Sequence, residues 1–139
     1  MAADGVVYTT DVSGVTTTEL EGFFVDWPSR PSPERHLEVL HGSDYVVLAR
    51  EGERGRVVGF ITAISDGVLS AFIPLLEVLP EYQGCGIGSE LVRRMLSQLQ
   101  DFYMVDLVCD PELESFYARF ELMLLTSMGT RRRHLLAAE

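Results

Sequence analysis

Six consecutive residues, Gln83-Gly84-Cys85-Gly86-Ile87-Gly88, have the composition of an anion cradle. Glycine at every second position leaves backbone N–H groups uncovered, because no Cβ stands between an amide and a phosphate oxygen. Beyond them Ile87, Leu91, Val92, Met95, Leu96 and Leu99 recur at helical spacing. The cradle therefore opens a helix, whose positive dipole end faces the same anion. Two nucleotide patterns fail at named positions. A G-x-G-x-x-G fingerprint from Gly84 needs glycine where Ser89 stands, and a Walker loop needs lysine, which this chain lacks entirely. The same lack excludes a lysine Schiff base or a lysine general base.

Two further residues carry acid–base chemistry. Glu77 is the one ionisable side chain in the apolar run 72–79, where a carboxylate must be solvated by a cleft or suffer desolvation. It is the first candidate for a general base, with a solvated structural glutamate and a water relay as the alternatives. Tyr117 lies on a stripe with Leu113, Phe116 and Phe120, so its phenol either donates a proton or packs with a hydrogen-bond partner. Cys85 and Cys109 have no neighbouring histidine and make no nucleophile–base pair; Cys109 reads as a small core residue. His36 and His41 are five apart, off the i, i+4 spacing of a helical metal pair, so no metal is assigned.

The glycine loop fits the pattern Gln/Arg-x-x-Gly-x-Gly through Gln83, Gly86 and Gly88, and it follows Val78-Leu79-Pro80-Glu81-Tyr82. Joined to an apolar strand and an amphipathic helix, this stretch resembles the acetyl-CoA pyrophosphate loop of the GNAT superfamily of N-acetyltransferases. The resemblance covers nearly the whole chain. It implies that the amides of Gln83, Gly84, Cys85, Gly86, Ile87 and Gly88 take the pyrophosphate, with Ser89 adding a hydroxyl. It also implies that main-chain groups of Leu76 and Val78 hold the pantetheine arm and thioester carbonyl, in a wedge where the central strand splays from its parallel neighbour. Phe116-Tyr117 resembles the family's Phe-Tyr-x-x-x-Gly-Phe segment, whose tyrosine protonates the departing thiolate. The chain departs from that segment at Glu121 and Leu122, and Asp110 stands where the family often has Asn. Positions where some relatives carry a base hold Phe72 and Pro74, which leaves Glu77 or water. Asp26, Trp27 and Arg30 fall in the loop that lines the acceptor side in the family; packing of that loop by Trp27 is the structural alternative.

The elements that must position these groups follow from pattern. Strands are predicted at Val6–Thr9, 45–49, 57–64, 72–79, 103–108 and 122–128, and helices over 16–25, 33–40, from Ile87, and after Asp110-Pro111-Glu112. Ser32 before Pro33 and Glu34 supplies a cap, a first-turn proline and an early acid for the second helix. The order β-α-α-β-β-β-α-β-α-β belongs to the α/β (α+β) class. With the resemblance it implies a GNAT fold, a mixed central sheet with a splayed parallel pair and four helices on both faces, in a single domain over 1–139.

Charge and composition bound the partners. The net charge is −10, with a net −5 in residues 1–40 alone, and all 11 basic residues are arginine. Such a chain is expected to avoid nucleic acid and anionic membranes, and an acidic surface suits a cationic amine. No signal peptide or spanning segment is expected, and two cysteines are too few for a disulfide framework, so a reduced, cytoplasmic protein is the default. The activity the resemblance implies is transfer of the acetyl group of acetyl-CoA to a primary amine, of a small molecule or a peptide, and for lack of a nucleophile–base pair direct attack in a ternary complex is expected. A non-catalytic acyl-CoA-binding domain of the same fold is the alternative, and a homodimer is left open.

Overall fold

The structure, a computed structural model, describes residues 4–137. Strands β1 (Val6–Thr9), β2 (Tyr45–Glu51), β3 (Val57–Ser65), β4 (Ser70–Val78) and β5 (Met104–Leu107) lie side by side in sequence order. The first four pair antiparallel, and β5 runs parallel to β4. The helices are α1 (Pro33–Gly42), α2 (Ile87–Gln98) and α3 (Glu114–Ala118). This is the mixed sheet with one parallel pair that the resemblance implies.

β2 and β3 are buried almost end to end, which is why their sequences read as continuous apolar runs instead of alternating ones. Successive residues of β3 serve opposite faces. Phe60 meets the rings of Phe23 and of His36 on α1, at centroid distances of 5.2 and 4.4 Å. Gly59 faces α2, where an added Cβ would stand 3.1 Å from Leu91 and 3.2 Å from Ile87. A glycine here lets α2 sit directly on the sheet. Ser32 caps α1 as predicted, its Oγ accepting the Arg35 N–H at 3.1 Å.

The parallel pair separates at one residue. Pairing between β4 and β5 ends at Ile73 opposite Leu107, and the β3–β4 register slips between Leu75 and Phe72. Pro74 occupies that slip, where a residue without an N–H costs the ladder least. From Pro74 onward β4 keeps β3 and loses β5, which opens the wedge.

Several expectations are corrected. The helix predicted over 16–25 is cut to one 3-10 turn, Thr17–Leu20, because Gly22 and Phe24 take positive φ of 98° and 63°. Glu19 on that turn pairs with Arg50 of β2, which holds it to the sheet. The fourth predicted helix is a 3-10 turn, Pro111–Leu113, followed by the short α3, and the Asp110 side chain makes no cap bond. Among the described residues three α-helices therefore stand where four were expected. The strand predicted over 122–128 does not form; those residues take no regular secondary structure and pair with no strand among the described residues. Cys109 is exposed, because β5 ends at Leu107 and Cys109 lies two residues beyond it, on no strand that packs against the core. No helix of the described residues is long and apolar enough to cross a membrane.

Candidate active site

β4 sets the site through the alternation of its backbone groups. Leu79 donates its N–H to Val58 O on β3 at 2.8 Å, while Val78 O faces the other way and accepts from the Gln83 side chain at 3.0 Å. Strand geometry carries this alternation back two residues, so the N–H groups of Val78 and Leu76 both point to the edge that β5 has left. Those are the two amides the resemblance assigns to the pantetheine arm and thioester.

The glycine loop lies at the end of the same strand. The 3-10 turn Pro80–Tyr82 leads into it, and the Tyr82 hydroxyl donates to Glu51 of β2, tying the turn down. Gly84 and Gly86 have φ of 80° and 90°, the left-handed region that glycine enters at no steric cost, and Gly86 is the N-cap of α2. An added Cβ at either position would meet nothing within 4 Å. The backbone is thus open on the side where a phosphate would approach. The first-turn amides of α2, at Ile87, Gly88 and Ser89, have no intrahelical acceptor. Ile87 sends its side chain into the core, and the Cys85 thiol bonds Tyr82 O at 2.9 Å, so both residues offer only backbone to a ligand. Ser89 Oγ accepts from the guanidinium of Arg119 at 2.9 Å. Open glycine backbone, a helix N-terminus and two free strand-edge amides fit the donor set that a CoA pyrophosphate and thioester require.

Between β4, β5, α3 and the segment after α3 lies a cleft of about 770 Å³. Phe72, Pro74 and Leu75 form one wall, Val105 to Cys109 another, and Tyr117 of α3 stands on it with Trp27. Burial, with a smaller contribution from the Cys109 thiol, pushes the Tyr117 phenol up to about 12, so the hydroxyl keeps its proton throughout the working pH range. Its ring meets that of Phe116 edge-on at 4.9 Å.

Glu77 lies on the opposite face of β4 from Leu76 and Val78, in register with Phe60. Its Oε1 accepts the Phe24 N–H at 2.8 Å. Burial raises the carboxyl above its ordinary value; the bonds from Phe24 and the Trp27 side chain and the charge of Arg30 oppose the rise, and Asp26 adds to it. Glu77 thus gathers the predicted acceptor loop around itself, but it does not line the cleft. Of Asp26, Trp27 and Arg30, only Trp27 does, while Arg30 lines a smaller cavity beside His36.

Sequence reasoning missed two acids, Asp106 and Glu114, that stand on the cleft wall. Asp106 is a lone acid in the apolar strand Met-Val-Asp-Leu, the same signal that singled out Glu77. Arg119, which bridges α3 to the first turn of α2, was also missed, although it lies two residues beyond Tyr117. Among the described residues no group of three or more His, Cys, Asp or Glu side chains gathers as a metal site.

The sequence model of the acetyltransferase (GNAT) family matches residues 13–121. An uncharacterized N-acetyltransferase, ycf52, of Porphyra purpurea is 28% identical over 118 residues, which is 81% of this chain and 68% of that protein. A solved structure of a proposed acetyltransferase from Deinococcus radiodurans R1 is 43% identical and superposes with a TM-score of 0.93, covering 99% of this chain and 95% of that one. A GNAT-family acetyltransferase of Streptococcus pneumoniae TIGR4, at 27% identity, superposes with a TM-score of 0.74 over 92% of this chain and 98% of its own. The match spans the glycine loop, the parting strands and the helix that carries Tyr117, and the chain belongs to the GNAT family of acetyltransferases.

Proposed function

We propose that this chain acetylates a primary amine, on a small molecule or a peptide, by direct attack on acetyl-CoA in a ternary complex. The observation that carries the proposal is the phenol of Tyr117 on the wall of the cleft that opens where β5 leaves β4. Bound acetyl-CoA supplies an acetyl thioester, whose carbonyl is the electrophile and whose thiolate is the leaving group. Residues 83–89 bind its pyrophosphate through backbone amides, and Leu76 and Val78 orient the thioester through theirs. Donors fixed in advance at a developing oxyanion lower its energy without reorganisation. Tyr117 Oη holds a proton up to about pH 12 and gives it to the leaving sulfur.

The amine must arrive neutral or lose its proton at the site. Glu77 acts through water along the Trp27 side of the loop, since its carboxylate lies off the cleft. Asp106, on the cleft wall itself, is the second candidate for that proton. The purified chain, given acetyl-CoA and a panel of arylalkylamines, polyamines and peptides, is expected to release free thiol with a subset of the amines. CoA binding without turnover on the whole panel would point instead to an acyl-CoA-binding domain without catalysis.

A further inference from the structure

Arg119 follows Tyr117 by two residues, yet its guanidinium reaches the anion cradle. Its Nη2 donates to Ser89 Oγ at 2.9 Å, in the first turn of α2. Its Nε donates to Phe116 O at 3.4 Å, and its charge sits over the rings of Phe116 and Phe120, 4.9 and 5.5 Å from their centroids. Arg50, Arg56, Arg93 and Arg94 each pair with a carboxylate. Arg119 is exposed and forms no ion pair among the described residues, in a chain with 21 acids. A cation without a carboxylate, bonded to the rim of an anion cradle, is placed for the charge of the ligand.

α3 leans on the same turn. It is five residues long with none fully buried, and so short a helix does not stand by itself. Phe116 packs over Gly88, where an added Cβ would meet its ring at 3.8 Å. Phe120 takes the Arg93 guanidinium over its ring at 5.8 Å. With the bond from Arg119, three contacts of this segment land on α2 between Gly88 and Arg93. The phenol of Tyr117 thus stands on a helix seated against the pyrophosphate site.

We propose that Arg119 is a positioning residue that couples the diphosphate of bound CoA to the placement of Tyr117; its catalytic consequence rests on the function proposed above. Phosphate oxygens on the amides of residues 83–89 come beside Ser89, and the guanidinium offers them a planar fork of N–H donors. That bond joins the three contacts and holds α3 down on α2. Tyr117, whose ring meets Phe116 edge-on at 4.9 Å, is set with it against the leaving sulfur. Binding energy from phosphates that take no part in the chemistry is thereby used to place the acid.

Tyrosine-ring 13C signals of the full chain, with that of Tyr117 assigned from Tyr117→Phe, read the coupling directly. ADP carries the diphosphate and no pantetheine. It is expected to displace the Tyr117 signal together with the amides of Gly84 to Ser89. In Arg119→Gln the amides are expected to respond while Tyr117 stays still. Turnover gives a second reading, with any amine on which the wild type is active. Arg119→Gln is expected to lower kcat on acetyl-CoA by roughly tenfold or more, and Arg119→Lys to recover part of the loss. On S-acetylpantetheine, which lacks the phosphates, variants and wild type are expected to be equally slow. ADP that saturates the cradle amides with Tyr117 unmoved, or that leaves those amides still at millimolar concentration, would overturn the proposal. So would a rise in KM at unchanged kcat, since Arg119 would then add affinity alone. Full turnover of Tyr117→Phe would instead defeat the proton-donor reading, with the ADP response left standing.

Discussion

The carboxylate of Glu77 accepts the backbone N–H of Phe24 at 2.8 Å, across 53 positions of sequence. Phe24 is held there at φ 63°, a conformation that costs a bulky residue about 1–2 kcal/mol and persists only where other contacts fix it. From Phe24 the chain passes to Trp27, whose ring lies edge-on to that of Phe24 at a centroid distance of 5.0 Å and which lines the cleft. A single strand residue thus fixes the shape of the loop that brings Trp27 to the cleft.

Replacing Glu77 separates this structural role from a proton-accepting one. Glu77→Ala leaves the Phe24 N–H without its partner and is expected to cost about 1–3 kcal/mol. Glu77→Gln keeps an acceptor oxygen and removes the ionisation penalty. The folded carboxyl titrates above its ordinary value of 4.5, so the folded state holds its proton longer than the unfolded chain. Stability from this group is therefore full below that value and lost as pH rises through the raised one. The Gln variant is expected to match or exceed the wild type in urea at pH 7. If Glu77 also relays the amine's proton, turnover in that variant falls at least tenfold while Asp106→Asn has the smaller effect; the reverse order would assign the role to Asp106.

His36 makes the opposite prediction for acid. It is 1% exposed, neither ring nitrogen has a hydrogen-bond partner among the described residues, and burial lowers it from 6.5 to about 4. Between those values the unfolded chain binds a proton that the folded one refuses. Stability is therefore complete above pH 6.5 and lost as pH falls toward 4, by about 2 kcal/mol between pH 7 and pH 4.5. His36→Phe is expected to remove that part of the acid sensitivity in urea melts. An unchanged pH dependence would mean that the imidazole is hydrated in solution.

Gly59 couples the core to the anion site. Besides Leu91 and Ile87, an added Cβ would approach Glu77 O at 3.3 Å, so Gly59→Ala must lift α2 or shift β4 by a few tenths of an ångström. The expected cost is about 1–3 kcal/mol of stability. Because α2 carries its N-terminal amides with it, CoA affinity is expected to weaken several-fold as well. Calorimetry on a variant that melts normally checks the second part, and undiminished affinity would show that the helix end does not bind the ligand.

Sequence reading succeeded where local chemistry and the fold agree. The glycine loop, the capped α1 and the α2 stripe all carry short-range signals, and their bounds fall within a few residues of those expected. It failed where a distant contact decides the backbone. Phe24 sits in a helical pattern, Thr16 to Val25, and nothing local says that Glu77 will hold it left-handed. The segment 122–128 has every signal of a strand except a partner within the described chain. Asp106 was legible and passed over, because its neighbours read as core and only the early end of β5 exposes it to the cleft.

Tyr117→Phe tests proton donation. The ring stays among Phe116 and Phe120, so stability is expected to change by no more than the ~1 kcal/mol of one hydrogen bond. Turnover is expected to fall by roughly 10²-fold with CoA affinity unmoved. With a phenol titrating near 12, the wild-type pH–rate profile is expected to show no alkaline descent from this group below about pH 11. Full turnover in the Phe variant would leave water as the donor.

The central claim is that acetyl-CoA lies with its pyrophosphate on residues 83–89 and its thioester on the free edge of β4. Amide chemical shifts of the 15N-labelled chain, followed through a titration with CoA, read that claim residue by residue. The largest displacements are predicted at the amides from Gly84 to Ser89 and at Leu76 and Val78, with β1 and β2 nearly still. Saturable displacements confined to other elements, or still amides at Leu76 and Val78 with the ligand bound, would contradict it.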